Sequence, residues 1–214
     1  MIGILGGTFD PVHFGHLRPA LEVQQALGLD EIRCIPSHVP PHRSRPVATP
    51  QQRLAMLQAA VADDAAFTID TREFEREGPS YTLDTLMSLR EELGATGLCL
   101  LVGMDAFRGF ASWHRWREII DYAHIIVMTR PGSPPPAEGE LADFIARHRV
   151  REAEALKGRS SGLLFYQPVS QLEISGSRIR ALLASGQRAD YLLPARVLDV
   201  IRSEGLYAEG TGHD

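Results

Sequence analysis

Near the start of the chain, GILGGTFDPVHFGH (3–16) gathers residues suited to holding an anion. Gly6 and Gly7 allow close approach to the backbone, and a helix starting just after them presents amide groups and the positive end of its dipole. His13 and His16 are three apart, one helical turn, so both can face a single pocket. Tetrahedral zinc would need further ligands, and none sits nearby in sequence. A capped surface turn would need no ligand at all. A phosphate site uses the glycines, Thr8, Asp10-Pro11 and both histidines together. Two commoner phosphate loops are excluded by spacing: Gly3, Gly6 and Gly7 do not make G-x-G-x-x-G, and no Gly-Lys-Ser/Thr follows.

Other segments could complete such a site. In ISGSRIR (174–180), Ser175 or Ser177 can cap a helix whose amide end attracts phosphate. Arg178 and Arg180 are two apart, so they point to different sides of that helix. VGMDAF (102–107) ends a strand at Gly103, with Asp105 placed to accept ribose hydroxyls or simply to cap a helix. SWHRWREI carries Trp113 and Trp116, either core aromatics or a flat face for a ring. VMTRPG leaves Arg130 at a strand exit, suited to a second phosphate. HVPPHR (38–43) reads equally as a basic lid or a surface loop, and GPSYTLDTL (78–86) as a capped helix start.

The elements that must position these residues alternate. Strands are expected at 2–5, 31–36, 67–70, 98–103, 124–130 and 162–167. Helices are expected over 16–28, over 49–62 with Thr49 as N-cap and Pro50 first, over 80–93, and twice near the end, at 175–186 and 194–207. The arginine-rich stretch 147–159 reads as a solvated helix face, and PGSPPP (131–136) as a loop. Alternation of this kind implies an α/β fold, a Rossmann-like doubly wound parallel sheet of about five to six strands, with ligands at its carboxyl edge. The expected organisation is one domain over 1–214, with a core over about 1–170 and a small helical C-terminal lobe over about 171–208.

Composition sets outer bounds. The 214 residues are 44% hydrophobic, with no run long enough to span a bilayer and no signal-peptide pattern, so cytoplasm is the expected compartment. The net charge of −5 disfavours a general nucleic-acid binder. Cys34 and Cys99 each lie in a buried-strand pattern, which suits packing and supports neither a disulfide framework nor a metal site. Lys157 is the only lysine, so nearly every cation is an arginine, whose planar fork suits phosphate.

GGTFDPVHFGH resembles the signature of the adenylyl- and cytidylyltransferase superfamily, with HFGH (13–16) as its HxGH element. Together with PPHR, PSYTLDTL, VGMD, SWHRW, TRPG and ISGSRIR, in this order over nearly the whole chain, it is similar to the bacterial nicotinate-nucleotide adenylyltransferase family. The resemblance implies that His13, His16 and Arg180 act on the triphosphate. It implies that Gly6, Gly7, Thr8, Phe9, Gly103, Asp105, Ser175 and Ser177 bind ATP. Trp113 would stack on the pyridine ring with Thr85 near its carboxylate, Arg130 would hold the mononucleotide phosphate, and His42 and Arg43 would also meet this substrate. ATP and nicotinate mononucleotide are the implied partners, with Mg²⁺ riding on the ATP phosphates and no resident metal site. Two positions depart from the pattern: Gly176-Ser177 replaces Ser-Thr, and His114 stands where many members have tyrosine. A pantetheine-phosphate or nicotinamide-mononucleotide adenylyltransferase, or a non-catalytic nucleotide sensor, are the alternatives on the same fold.

Overall fold

The computed structural model describes residues 1–40, 46–130, 132, 134–170 and 172–208. The first strand, β1 (Ile2–Gly7), leads into α1 (Phe14–Leu27), β2 (Glu31–Pro36), α2 (Pro50–Val61) and β3 (Phe67–Ile69). The chain then continues through α3 (Thr82–Leu93), β4 (Leu98–Gly103), two short helices α4 (Met104–Arg108) and α5 (Ile119–Tyr122), and β5 (His124–Thr129). It finishes with α6 (Gly139–His148), β6 (Arg149–Val150), β7 (Leu164–Pro168), α7 (Gly176–Ala184) and α8 (Ala195–Ser203).

All strand pairs are parallel, in the order β3-β2-β1-β4-β5-β7-β6. Side chains alternate between the two faces of a strand, so an unbroken apolar run feeds two cores at once. In β4, Cys99 and Leu101 enter one core while Leu98, Leu100 and Val102 enter the other. In β5 the split is Ile126 against Ile125 and Val127. Burial of both thiols pushes Cys34 and Cys99 up to about 12, so they are inert packing residues.

The sheet has seven strands, one more than the upper expectation, and the difference lies in the arginine-rich stretch 147–159. Its helix ends at His148. Arg149 and Val150 then pair with Leu164 and Phe165 at the sheet edge, and a 3₁₀ turn over Ala153–Leu156 buries Leu156. The expectation of one solvated helix is therefore corrected: Val150 and Leu156 need apolar cover that a helix with all its charges in water would not supply.

The chain runs outward from β1 to β3, returns to β4 beside β1, and builds the other half of the sheet. Strand order reverses between β1 and β4, which opens a crevice beyond their carboxyl ends. At the other end of the chain, α8 packs against α2; Val197, Leu198 and Ile201 share one apolar cluster with Met56, Leu57 and Val61. Among the described residues, no helix is long and apolar enough to cross a membrane.

Candidate active site

His13 is the N-cap of α1, in extended conformation, and is only 4% exposed. Its ring stacks on that of His16 with centroids 3.7 Å apart. The His13 N–H donates to His16 Nδ1 at 3.3 Å, which leaves the proton of a neutral His16 ring on Nε2. Gly15 is required between them. A Cβ there would lie 2.9 Å from His13 Nδ1 and 2.9 Å from the carbonyl oxygen of Ile174. The last small residue of HxGH thus lets the loop before α7 close over the histidines. No group of three or more metal-ligating side chains gathers among the described residues.

The connection from β1 to α1 is held by one carboxylate. Asp10 is buried, and its Oδ1 accepts from the Tyr207 hydroxyl at 2.6 Å and from Ala48 N–H at 3.2 Å. Val47 N–H donates to Oδ2 at 2.9 Å. Arg180 Nη1 donates to the Asp10 carbonyl at 2.6 Å, and Nη2 donates to Ser177 Oγ at 3.3 Å. The N-terminus of α7 comes this close because residue 176 is glycine: a Cβ would meet the Asp10 carbonyl oxygen at 2.9 Å. Arg53, fully buried on α2, donates to the carbonyls of Thr8 (2.8 Å), Ser37 (2.7 Å) and His38 (3.3 Å), tying together the exits of β1 and β2. Burial favours the neutral form of its guanidinium, against the pull of Asp10.

Beside this loop lies a cavity of about 100 Å³ lined by Gly6, Gly7, Ser37, Glu73, Thr85 and Trp113, with aliphatic side chains of β1, β2 and β4. A Cβ on Gly6 would meet nothing within 4 Å, whereas one on Gly7 would press on the Phe9 ring at 3.1 Å. Gly7 therefore makes room for Phe9, which is 1% exposed and held at φ 51° by the packing of its ring. What Phe9 offers a ligand is its backbone. The two tryptophans divide: Trp116 is buried against Phe144, while Trp113 is half-buried against Phe110 and faces the cavity. His114 stacks on Tyr81, with centroids 4.2 Å apart.

The remaining candidates line the same carboxyl edge. Gly103 caps α4, and Asp105, 74% exposed, sits in its first turn paired with Arg108 at 3.2 Å. Arg130 follows β5 and has no hydrogen-bond or ion-pair partner among the described residues. Ser175 caps α7, accepting from the Arg178 N–H at 3.3 Å. Arg178 is exposed while Arg180 turns inward. His42 and Arg43 lie outside the described residues. Sequence reasoning missed Arg53, Glu73, Arg76 and Tyr207, and took Asp10 only as part of a turn. Arg53 did carry a signal, because it shares a helical face with Met56 and Leu57 and so falls in the buried stripe.

Two expected results arise here. Tyr207→Phe removes one of two donors to a buried carboxylate oxygen and costs about 1–2 kcal/mol, read as a lower urea midpoint with unchanged m-value. The second concerns acid. Burial pushes His13 down to about 4, and it also lowers His124, which accepts from Leu163 N–H and meets the Arg159 carbonyl beneath the sheet. In the unfolded chain both return to 6.5, so as pH falls below that value the unfolded state takes up protons that the folded state refuses. Stability is therefore lost on acidification, by up to about 1.4 kcal/mol per pH unit for each histidine. Urea titrations at about pH 7.5 and about pH 5.5 measure it, and an unchanged midpoint would contradict it.

A parallel sheet that reverses at β1 and β4, with a His-x-Gly-His turn and a second helix N-terminus at that edge, defines a nucleotidyl-transfer scaffold. The chain belongs to the cytidylyltransferase-like family, whose model matches residues 4–182. Within it, the chain lies among the nicotinate-nucleotide adenylyltransferases. It is 51% identical over 206 residues to a probable nicotinate-nucleotide adenylyltransferase of Aeromonas salmonicida, with 96% of each chain covered. A Methylococcus capsulatus protein of the same description is 49% identical over 210 residues, covering 98% of this chain and 100% of that one. The Plasmodium falciparum nicotinic acid mononucleotide adenylyltransferase complexed with NaAD shares the fold, with a TM-score of 0.70 at 16% identity over 96% of each chain.

Proposed function

We propose that this chain transfers the adenylyl group of ATP to the phosphate of nicotinate mononucleotide, a step of NAD biosynthesis that forms nicotinate adenine dinucleotide and releases pyrophosphate. One observation carries the reading. The loop after β1 borders two groups of residues, His13 and His16 at the start of α1 with Arg180 of α7 on the Asp10 carbonyl, and Thr85 and Trp113 around the cavity that Gly6 and Gly7 also line. The C-terminal segment 171–208 belongs to this single functional domain, since it brings Arg180 and Tyr207 to the loop.

In the reaction, an oxygen of the acceptor phosphate attacks the α-phosphorus of ATP. The new P–O bond forms as the bond to the pyrophosphate oxygen breaks in line. The attacking oxygen is already anionic near neutral pH, so the protein needs no general base. Its contribution is position and charge. His16 donates from Nε2 to the transferring and leaving phosphates, His13 joins it from the buried side, and Arg180 supplies a fixed positive charge. Gly103, Asp105, Thr8, Phe9, Ser175 and Ser177 hold ATP, while Arg130, His42 and Arg43 hold the mononucleotide. Mg²⁺ arrives on the ATP phosphates as part of that substrate; with Asp10 occupied by Tyr207, Val47 and Ala48, the donors beside the histidines suit phosphate oxygens. The substrates in this reading are small molecules, and the compartment proposed for the reaction is the cytoplasm.

The test is pyrophosphate release with ATP and Mg²⁺ against nicotinate mononucleotide, its amide and phosphopantetheine. Release with nicotinate mononucleotide is expected. Preference for phosphopantetheine, or no release with any of the three, overturns the proposal.

A further inference from the structure

The cavity contains a carboxyl group that the proposed transfer does not use. Glu73 is 8% exposed and lines the same space as Thr85 and Trp113. Its Oε1 lies 2.6 Å from Thr85 Oγ1, and Arg76 Nη2 donates to that hydroxyl oxygen at 3.1 Å. Arg76 Nη1 is buried without a hydrogen-bond partner among the described residues.

A hydroxyl carries one proton and two lone pairs. With Glu73 ionised, its carboxylate takes the Thr85 proton, the carbonyl of Tyr81 at 3.3 Å being the weaker acceptor, and Arg76 takes one lone pair. What Thr85 then keeps for a ligand is a lone pair, which suits the N–H of a carboxamide and repels a carboxylate. With a proton on Glu73 the bond reverses. The carboxylic acid donates to Thr85, Arg76 keeps its lone pair, and the hydroxyl proton turns toward the ligand. The same proton cancels the negative charge facing Arg76, so the cation and its unused N–H are left to an incoming carboxylate.

The surroundings allow this exchange. Glu73 is faced by Arg76 from its own turn, by Asp70 after β3, and by Ser80 and Thr85 at the start of α3. On the β2 side stand His38, whose ring meets the Arg76 carbonyl, and Arg53, near the ring of Phe74. Burial raises the Glu73 carboxyl above its ordinary range, against the opposing pull of Thr85, Ser80 and Arg76.

We propose that Glu73 is a positioning residue for Thr85 that selects a carboxylate-bearing ring over its carboxamide: the acid enters together with a proton from solvent, which settles on Glu73, and the amide enters without one. The inference rests on the cavity receiving the acceptor's ring, as proposed above.

Calorimetric titration of the full chain with nicotinate mononucleotide, and separately with nicotinamide mononucleotide, tests it. Runs in two buffers of different ionisation enthalpy count the protons taken up. Both ligands carry the same phosphate, whose ionisation cancels in the difference. The acid is expected to take up more protons than the amide, by up to about one per ligand, and its affinity to weaken by up to about tenfold per pH unit as pH rises. Glu73→Gln, whose amide donates to Thr85 as a neutral carboxyl would, abolishes that difference and the pH dependence that goes with it. Equal proton uptake for the two ligands in the unmodified protein overturns the proposal and requires no variant to fold. A difference that persists in Glu73→Gln overturns it as well. Failure to bind either mononucleotide overturns the reading of the cavity instead.

Discussion

Replacing His16 with alanine lowers kcat by about a hundredfold or more while the protein stays folded. Three features of the site support this outcome. The His16 ring is aligned by a neighbour, since its Nδ1 accepts the His13 N–H at 3.3 Å and the two rings stack 3.7 Å apart. That alignment leaves Nε2 as the donor, at the N-terminus of a helix whose amides already favour negative charge. A donor fixed in this way does its work as charge builds on the transferring phosphate, so its loss appears in kcat more than in KM. The stability cost is small by comparison, because α1 keeps its buried face of Leu17, Ala20, Val23 and Leu27. Steady-state kinetics beside a urea titration separate the two effects. A folded His16→Ala protein with near-normal kcat would remove His16 from the reaction.

Gly15→Ala is expected to damage stability and catalysis together. The added Cβ would stand 2.9 Å from both His13 Nδ1 and the Ile174 carbonyl oxygen, closer than such contacts allow. One neighbour is backbone and the other is a buried ring, so neither yields cheaply. Overpacking of this kind costs about 1–3 kcal/mol. The strain is relieved by moving His13, or by pushing away the loop that carries Ser175 and the N-terminus of α7. Either shift takes a phosphate-binding group out of place, and displacement by about 1 Å can cost a hundredfold in rate. Gly6→Ala is the comparison, because no atom lies within 4 Å of its Cβ position and the fold should accept it. A Gly15→Ala protein with the urea midpoint and kcat of the parent would show that HxGH tolerates a side chain there.

The half of the site at β1 and α1 was legible because its parts are local. Glycine pair, histidine spacing and helix start all fall within GILGGTFDPVHFGH, and the resemblance rests on that same stretch. The strand run at 98–103 was equally readable, since strands covered on both faces are continuously apolar, and 31–36 showed its buried positions Ile32 and Cys34 alternating with Glu31 and Arg33. Less legible was any residue whose role depends on a distant partner. Arg53 looks like one more polar residue of a helix until it is seen buried beneath three carbonyls. Tyr207 lies 197 positions from the carboxylate it holds, and nothing in its neighbours announces that contact. The stretch 147–159 misled because charge density indicates exposure but not conformation.

By itself, the sequence determined the alternating α/β order, the anion-binding turn and the residue types available for phosphate chemistry. These follow from periodicity and from backbone needs that only a few residues meet. Tertiary structure decided how those residues are used. Folding gave one tryptophan to the core and the other to the cavity, and it made Gly7 a seat for Phe9 while leaving Gly6 open. It also set Glu73 and Arg76 against Thr85. The physical reason is that burial and hydrogen-bond direction are properties of the whole packed chain: a side chain's charge and the placement of its proton depend on neighbours that only the fold brings near.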